Sequence, residues 1–179
     1  MTTYLLVDTA NTFFRARHIA HKSMDKWTKL GFSIHLTLSS VNKSWKLAQA
    51  DHVVFALEGR SWRKDFYEPY KKNRQIARQA LTEAEQKEDE LFWETFNDLC
   101  DFLNENSNCS VLQCEIAEAD DVIARWIKLH PNDNHVIVSS DTDFVQLVAP
   151  NVKQYNGMAN SMITLEGIFD DHGKPVNDK

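Results

Sequence analysis

Four short apolar runs, YLLVD (4–8), HVVFAL (52–57), CSVLQC (109–114) and HVIVSS (135–140), most constrain what this chain can fold into. Each has the length and composition of one buried strand. Between them the apolar period lengthens to that of a helix. Ile34, Leu38, Val41, Trp45 and Ala48 recur at helical spacing, and so do Phe92, Phe96, Leu99 and Leu103. A further helix, carrying Val122, Ile123, Trp126 and Ile127, follows the third run and is broken at Pro131, Asn132 and Asn134. NVKQY (151–155) reads as a short fifth strand before the turn Asn156-Gly157. Strands alternating with helices build right-handed βαβ units. The expected fold is therefore α/β, with a mainly parallel central sheet and helices on both faces.

In such sheets ligands sit at the carboxyl ends of the strands, and there this chain places acid. Asp8 ends the first run and Glu58 directly follows the second. Glu118, Asp120 and Asp121 lie a few residues beyond the third, and Asp141 and Asp143 follow the fourth. Seven ionised carboxylates in one cleft repel one another unless something neutralises them. Mg²⁺ or Mn²⁺ takes oxygen ligands and removes that repulsion. Two such ions about 4 Å apart activate a water and stabilise the leaving oxygen of a phosphodiester. Each acid also has a plainer reading. Asp and Glu in a first helical turn complement the macrodipole, and D-T-D after a strand fits an N-capped turn. The coincidence at four strand ends favours the metal reading. On the helix, Glu118 and Asp121 share a face, whereas Asp120 is turned away by about 100° per residue.

Net charge is −6, which on its own argues against a nucleic-acid partner, but the charge is unevenly placed. Acid gathers in 83–105, a solvated helix face. Base gathers in 60–78, RSWRKDFYEPYKKNRQIAR, with Arg60, Arg63, Lys64, Lys71, Lys72, Arg74 and Arg78 against only Asp65 and Glu68. This segment interleaves cations with Trp62, Phe66, Tyr67 and Tyr70, the combination that grips phosphates and stacks on unpaired bases. It is expected to be a long basic excursion above the core, tethered to the acidic edge through Glu58. A solvated basic face is the simpler alternative, and Trp62 and Phe66 also fit a pair of core anchors.

The length suits one domain with a substantial core. No apolar run approaches the ~18 residues that cross a bilayer. Cys100, Cys109 and Cys114 form no C-x-x-C pair and read as reduced thiols of a cytoplasmic protein.

Taken in order, LLVDTANTFFR, WRKDFYEPYKKNR, EADDVIA and SSDTDFVQL resemble the 5′ nuclease family. That family includes flap endonucleases, the 5′ nuclease of bacterial DNA polymerase I and phage 5′→3′ exonucleases with ribonuclease H activity; the phage branch is the most similar. The resemblance implies a PIN-like three-layer fold with an arch-like basic excursion after strand two. It implies Mg²⁺-dependent hydrolysis of DNA, or of RNA in an RNA–DNA hybrid, near 5′ ends or flap junctions. By motif, Asp8, Glu118, Asp120, Asp121, Asp141 and Asp143 match metal-binding acids, Lys71 and Arg74 match contacts to the scissile phosphate, and Tyr70 matches a base-stacking position. Glu58 stands where the family has Asp. The family's duplex-binding helical motif and further metal-binding Asp have no recognisable counterpart up to Lys179. A single catalytic domain over 1–179 is expected, with the second of two metal sites weakened. Two other functions fit the same residues: a PIN-type ribonuclease acting on single strands, and a non-catalytic protein that binds branched or single-stranded nucleic acid.

Overall fold

The computed structural model describes residues 1–19 and 24–176, and of Arg74 and Gln75 the backbone alone. Its centre is a seven-stranded sheet formed by β1 (Thr3–Asp8), β2 (His52–Leu57), β3 (Ser110–Gln113), β4 (Asn134–Val138), β5 (Val152–Asn156), β6 (Ser161–Thr164) and β7 (Gly167–Asp170). The spatial order is β3-β2-β1-β4-β5-β6-β7. The first five strands pair in parallel, while β6 and β7 are added antiparallel. Strand order reverses at β1, so the crevice between β1 and β4 is a topological switch point, where open α/β sheets hold their ligands.

Side chains on successive strand residues feed two cores, as the period-two geometry requires. Leu5, Val7, Phe55, Val136, Val138 and Tyr155 face one layer, made by α1 (Thr9–Ile19), α2 (Lys26–Ala48) and α5 (Glu83–Asn106). Phe13, Leu30, Val41, Phe92, Phe96, Leu99 and Leu103 supply the helical half of that core. Leu6, Val54, Ala56, Ile137 and Val152 face the opposite layer, where α6 (Ala119–Leu129) contributes Ala119 and Ile123 and a 3₁₀ helix (Thr142–Leu147) contributes Phe144. Helices thus cover both faces, as expected.

Local chemistry sets the helix ends. Asp25 caps α2 by accepting from the Trp27 and Thr28 amides at 3.0 and 3.1 Å, so this helix starts well before the apolar stripe at Ile34. Thr82 and Glu85 form a capping box at the start of α5. The basic segment after β2 folds into two short helices, α3 (Arg63–Phe66) and α4 (Lys72–Gln79). Trp62 is 43% exposed and Phe66 84%, so neither is a core anchor. Among the described residues no helix is long and apolar enough to cross a membrane. All three cysteines are unpaired.

Candidate active site

The carboxyl edge of the sheet is assembled by a glycine. Gly59 donates its N–H to Ala117 O at 2.9 Å, and Arg60 donates to Glu115 O at 2.8 Å. Residues 59 and 60 are thereby hydrogen-bonded to the loop ahead of α6, just past the ends of β2 and β3. A Cβ at Gly59 would lie 1.9 Å from Cys114 O and 2.7 Å from Ala117 O, both backbone atoms. This close approach sets Glu58 against the first turn of α6, where its Oε2 accepts from the Ala119 amide at 3.2 Å. Burial, opposed by that hydrogen bond and by Lys71, raises the Glu58 pKa, and Glu118 and Asp120 raise it further.

Glu118 is the N-cap residue of α6 and only 4% exposed. Its Oε2 accepts from Ser61 Oγ at 2.9 Å, the Arg63 guanidinium at 2.7 Å and Tyr70 Oη at 3.0 Å, while Lys71 Nζ pairs with Oε1. Burial works against its charge. Lys71, Ser61 and Tyr70 outweigh that cost and hold the carboxyl below its ordinary pKa. Asp121 accepts a two-pronged contact from Arg63, 2.9 Å at each oxygen, and a bond from Trp62 Nε1 at 3.1 Å. It also accepts from the Glu118 amide at 3.2 Å, which ties the cap residue to the first turn. Asp120 accepts from the Asp121 amide at 2.8 Å and stands 3.5 Å from Arg63. Burial raises its pKa; Arg63 opposes the rise and Asp121 adds to it. Carboxylate oxygens of Glu118, Asp120 and Asp121 all lie within 4.8 Å of one another. Asp120 is therefore not turned out of the cluster as helical phase alone suggests: it occupies the first turn, where a short side chain reaches back over the helix end.

On the other side of β2, Asp8 ends β1 and is 7% exposed. Burial raises its pKa to about 6, against the Ser139 hydroxyl at 2.9 Å and the Asn11 amide at 3.3 Å; Glu58 and Asp141 push the same way as burial. Asp141 caps the 3₁₀ helix, its Oδ1 accepting from the Asp143 amide at 3.0 Å. The electrostatic coupling runs from Asp141 through Asp8 and Glu58 to Glu118 and Asp120. Asp143 is exposed, one residue into the 3₁₀ helix beyond Asp141.

The basic residues divide. Arg63, Tyr70 and Lys71 lie directly on the acids, which motif spacing did not anticipate. Arg60 pairs with Asp65, and Lys72 with Glu68 at 3.1 Å. Lys64 is exposed, and the Arg78 guanidinium lies 5.7 Å from the centre of the Trp93 ring. The Arg74 side chain lies outside the described residues. Four polar residues escaped the sequence reading: Asn11, Ser61, Ser139 and Gln154. Ser61, Ser139 and Gln154 are buried beside the acids, and a buried polar group near a strand's carboxyl end must find a partner. That was the available signal.

Comparison with known proteins places this arrangement. Flap endonuclease Xni of Shewanella piezotolerans is 30% identical over 172 residues, covering 94% of this chain and 61% of that protein. Ribonuclease H of Enterobacteria phage T4 is 33% identical over 141 residues, covering 74% of this chain and 45% of that protein. The chain thus spans about three fifths of the length of the first relative and less than half of the second. A solved complex of the phage T5 flap endonuclease with DNA and metal ions superposes with a TM-score of 0.73 at 23% identity, covering 92% of this chain and 58% of that one; this is a likeness of fold. A family model, that of the 5′-3′ exonuclease N-terminal resolvase-like domain, matches residues 3–173, and the chain belongs to that family.

Proposed function

We propose that this chain hydrolyses phosphodiester bonds of nucleic acid near 5′ ends or flap junctions, using divalent cations held by its carboxylates. One observation carries the reading: a basic arm and an acid cluster meet on the same side chains. Arg63, Tyr70 and Lys71 of the arm reach Glu118, whose oxygens lie within 4.8 Å of those of Asp120 and Asp121. Membership of the exonuclease family supports it, as do the flap endonuclease and ribonuclease H relatives and the T5 complex with DNA and metal ions.

The donor set fits Mg²⁺ or Mn²⁺. It consists of hard carboxylate oxygens with no thiolate or imidazole, the preference of those ions. Glu118, Asp120 and Asp121 would hold one ion. Asp8 and Asp141, with Glu58 and Asp143 beside them, would serve a second, weaker position. When bound, such ions lower the pKa of a coordinated water and neutralise charge on the transferring phosphoryl group. The chain's own residues do the rest. Lys71 and Arg74 neutralise the scissile phosphate, and Arg60, Arg63, Lys64, Lys72 and Arg78 hold phosphates along the strand. Tyr70 and the exposed rings of Phe66 and Tyr67 offer stacking faces for unpaired bases. A divalent cation and the arm's cations would compete for the same oxygens, so cation binding at Glu118 and Asp121 would release Arg63 from them toward phosphate.

A cleavage assay on 5′-labelled flap DNA, an RNA–DNA hybrid and single-stranded RNA tests the proposal. Flap DNA is expected to be cut with Mg²⁺ and spared in EDTA, and Asp141→Asn to lose the cut. Equal cleavage by Asp141→Asn would remove Asp141 from the site, and flap binding without turnover would leave a binding protein.

A further inference from the structure

We propose that Gln154, a β5 residue that among the described residues reaches the acid turn through backbone carbonyls alone, is a positioning residue that fixes the acid turn after β4 and so sets its cation affinity. The affinity half rests on the metal reading above. Gln154 is 1% exposed. Its Nε2 donates to two carbonyls at once, Ser139 O at 3.1 Å and Asp141 O at 2.7 Å. Those carbonyls determine which end of the amide is nitrogen, since the rotated group would set its oxygen against two others. Its Oε1 is buried and has no partner among the described residues. Folded interiors seldom leave such a group unpaired, and an apolar side chain of equal length would avoid the cost. What Gln154 contributes is therefore sought at Nε2.

The two carbonyls bracket the turn that presents Asp141. Within it, Ser139 Oγ donates to Asp8 at 2.9 Å and accepts from the Asp141 amide at 3.1 Å, joining the end of β1 to the turn after β4 through one hydroxyl. From the α1 side, Asn11 Oδ1 accepts from Ser140 N at 3.2 Å and Ser140 Oγ at 3.0 Å. The turn is thus clamped between Asn11 and Gln154. Without the Gln154 clamp, Asn11 and the Ser139 N–H on Tyr155 O at 3.3 Å still hold the turn, but less rigidly. The Ser139 hydroxyl then loses part of the backbone support from which it keeps Asp8 and Asp141 in register. Groups that orient metal ligands from behind typically change metal affinity by 10- to 100-fold when removed.

Gln154→Met keeps length and burial and deletes both donors. Amide hydrogen exchange in metal-free buffer is expected to quicken by at least about tenfold across 139–143, with β1 and β4 unchanged. Mn²⁺ affinity by calorimetry is expected to fall on the order of 10- to 100-fold, while KM for flap DNA moves less than about twofold. Gln154→His, whose ring N–H can still reach a carbonyl, is expected to fall between Met and the parent. If it matches Met at equal thermal stability, packing and not donation is responsible, and the proposal is overturned. Unchanged exchange with unchanged Mn²⁺ affinity overturns it as well. A parent that takes up no Mn²⁺ overturns the metal reading instead, and the metal-free exchange result then decides the positioning role by itself.

Discussion

Arg63 grips Asp121 with both terminal guanidinium nitrogens, 2.9 Å at each carboxylate oxygen, and with one of them also reaches Glu118 at 2.7 Å. The fork-to-fork geometry is the strongest that Arg and a carboxylate can adopt. Asp121 correspondingly leads the groups that hold the guanidinium pKa above its usual value. The arm after β2 is thus fastened by charge, while its aromatic rings Phe66 and Tyr67 remain outside the core.

Arg63→Gln removes a cation that competes for those oxygens. A unit charge a few ångströms away is worth a few kcal/mol at an effective dielectric near 20. Mn²⁺ binding by calorimetry is therefore expected to tighten by at least about tenfold. Flap cleavage is expected to weaken, because a phosphate contact is lost. An unchanged Mn²⁺ affinity would mean that cation and arm do not share a site.

Asp8 gives the folded chain an unusual pH response. Its folded pKa is raised from 3.8 to about 6, so the folded chain keeps a proton that the unfolded chain releases. The associated stability is full below about pH 3.8 and is lost as pH rises through about 6. Asp8→Asn cannot ionise. At pH 7.5 without metal it is expected to exceed the parent in stability by up to about 3 kcal/mol, with the gain vanishing near pH 4. Added Mn²⁺ is expected to stabilise the parent and leave the variant behind. Urea denaturation at the two pH values measures this; a variant no more stable at pH 7.5 than at pH 4, relative to the parent, sinks the assignment.

Gly59→Ala places a methyl group 1.9 Å from Cys114 O. The obstacle is backbone at two positions of the loop ahead of α6, Cys114 and Ala117, so relief requires that loop to move. The expected loss is about 3 kcal/mol, roughly 10 °C in Tm for a chain of this size. Cleavage is expected to fall further than stability explains, since the same loop carries Glu118. A melting curve that overlays the parent's contradicts the close approach.

The apolar runs made the parallel part of the sheet legible, because a strand buried on both faces must be apolar almost throughout. They carried less information at the far edge. SMIT and GIFD, the strands β6 and β7, are short, half-buried and mixed in character, and their pairing depends on a neighbour that periodicity does not name. The start of α2 was hidden for a related reason: Asp25 sets it through hydrogen bonds, ahead of any apolar stripe. At the site, strand-end placement picked out the acids but not their partners. That Arg63 and Lys71 lie on Glu118 depends on how a long polar segment folds back, which charge alone leaves open. Helical phase misplaced Asp120 because it describes the middle of a helix and not its first turn. Trp62 and Phe66 fit an apolar stripe by spacing, yet α3 is four residues long and has no core beneath it.

The antiparallel pair β6–β7 also covers the outer edge of the parallel strands beyond β5. β5 has its outer edge occupied by β6, and β6 by β7. The next contact outward is a bridge from Phe169 to Pro175. Proline has no N–H to donate, so the ladder meets a residue that cannot pass it to a neighbouring chain. Lys43 of α2 holds this rim down through Asp171 at 2.6 Å. An open sheet is a template for aggregation wherever its last strand is long and unguarded; among the described residues this side ends instead in a short hairpin backed by a proline.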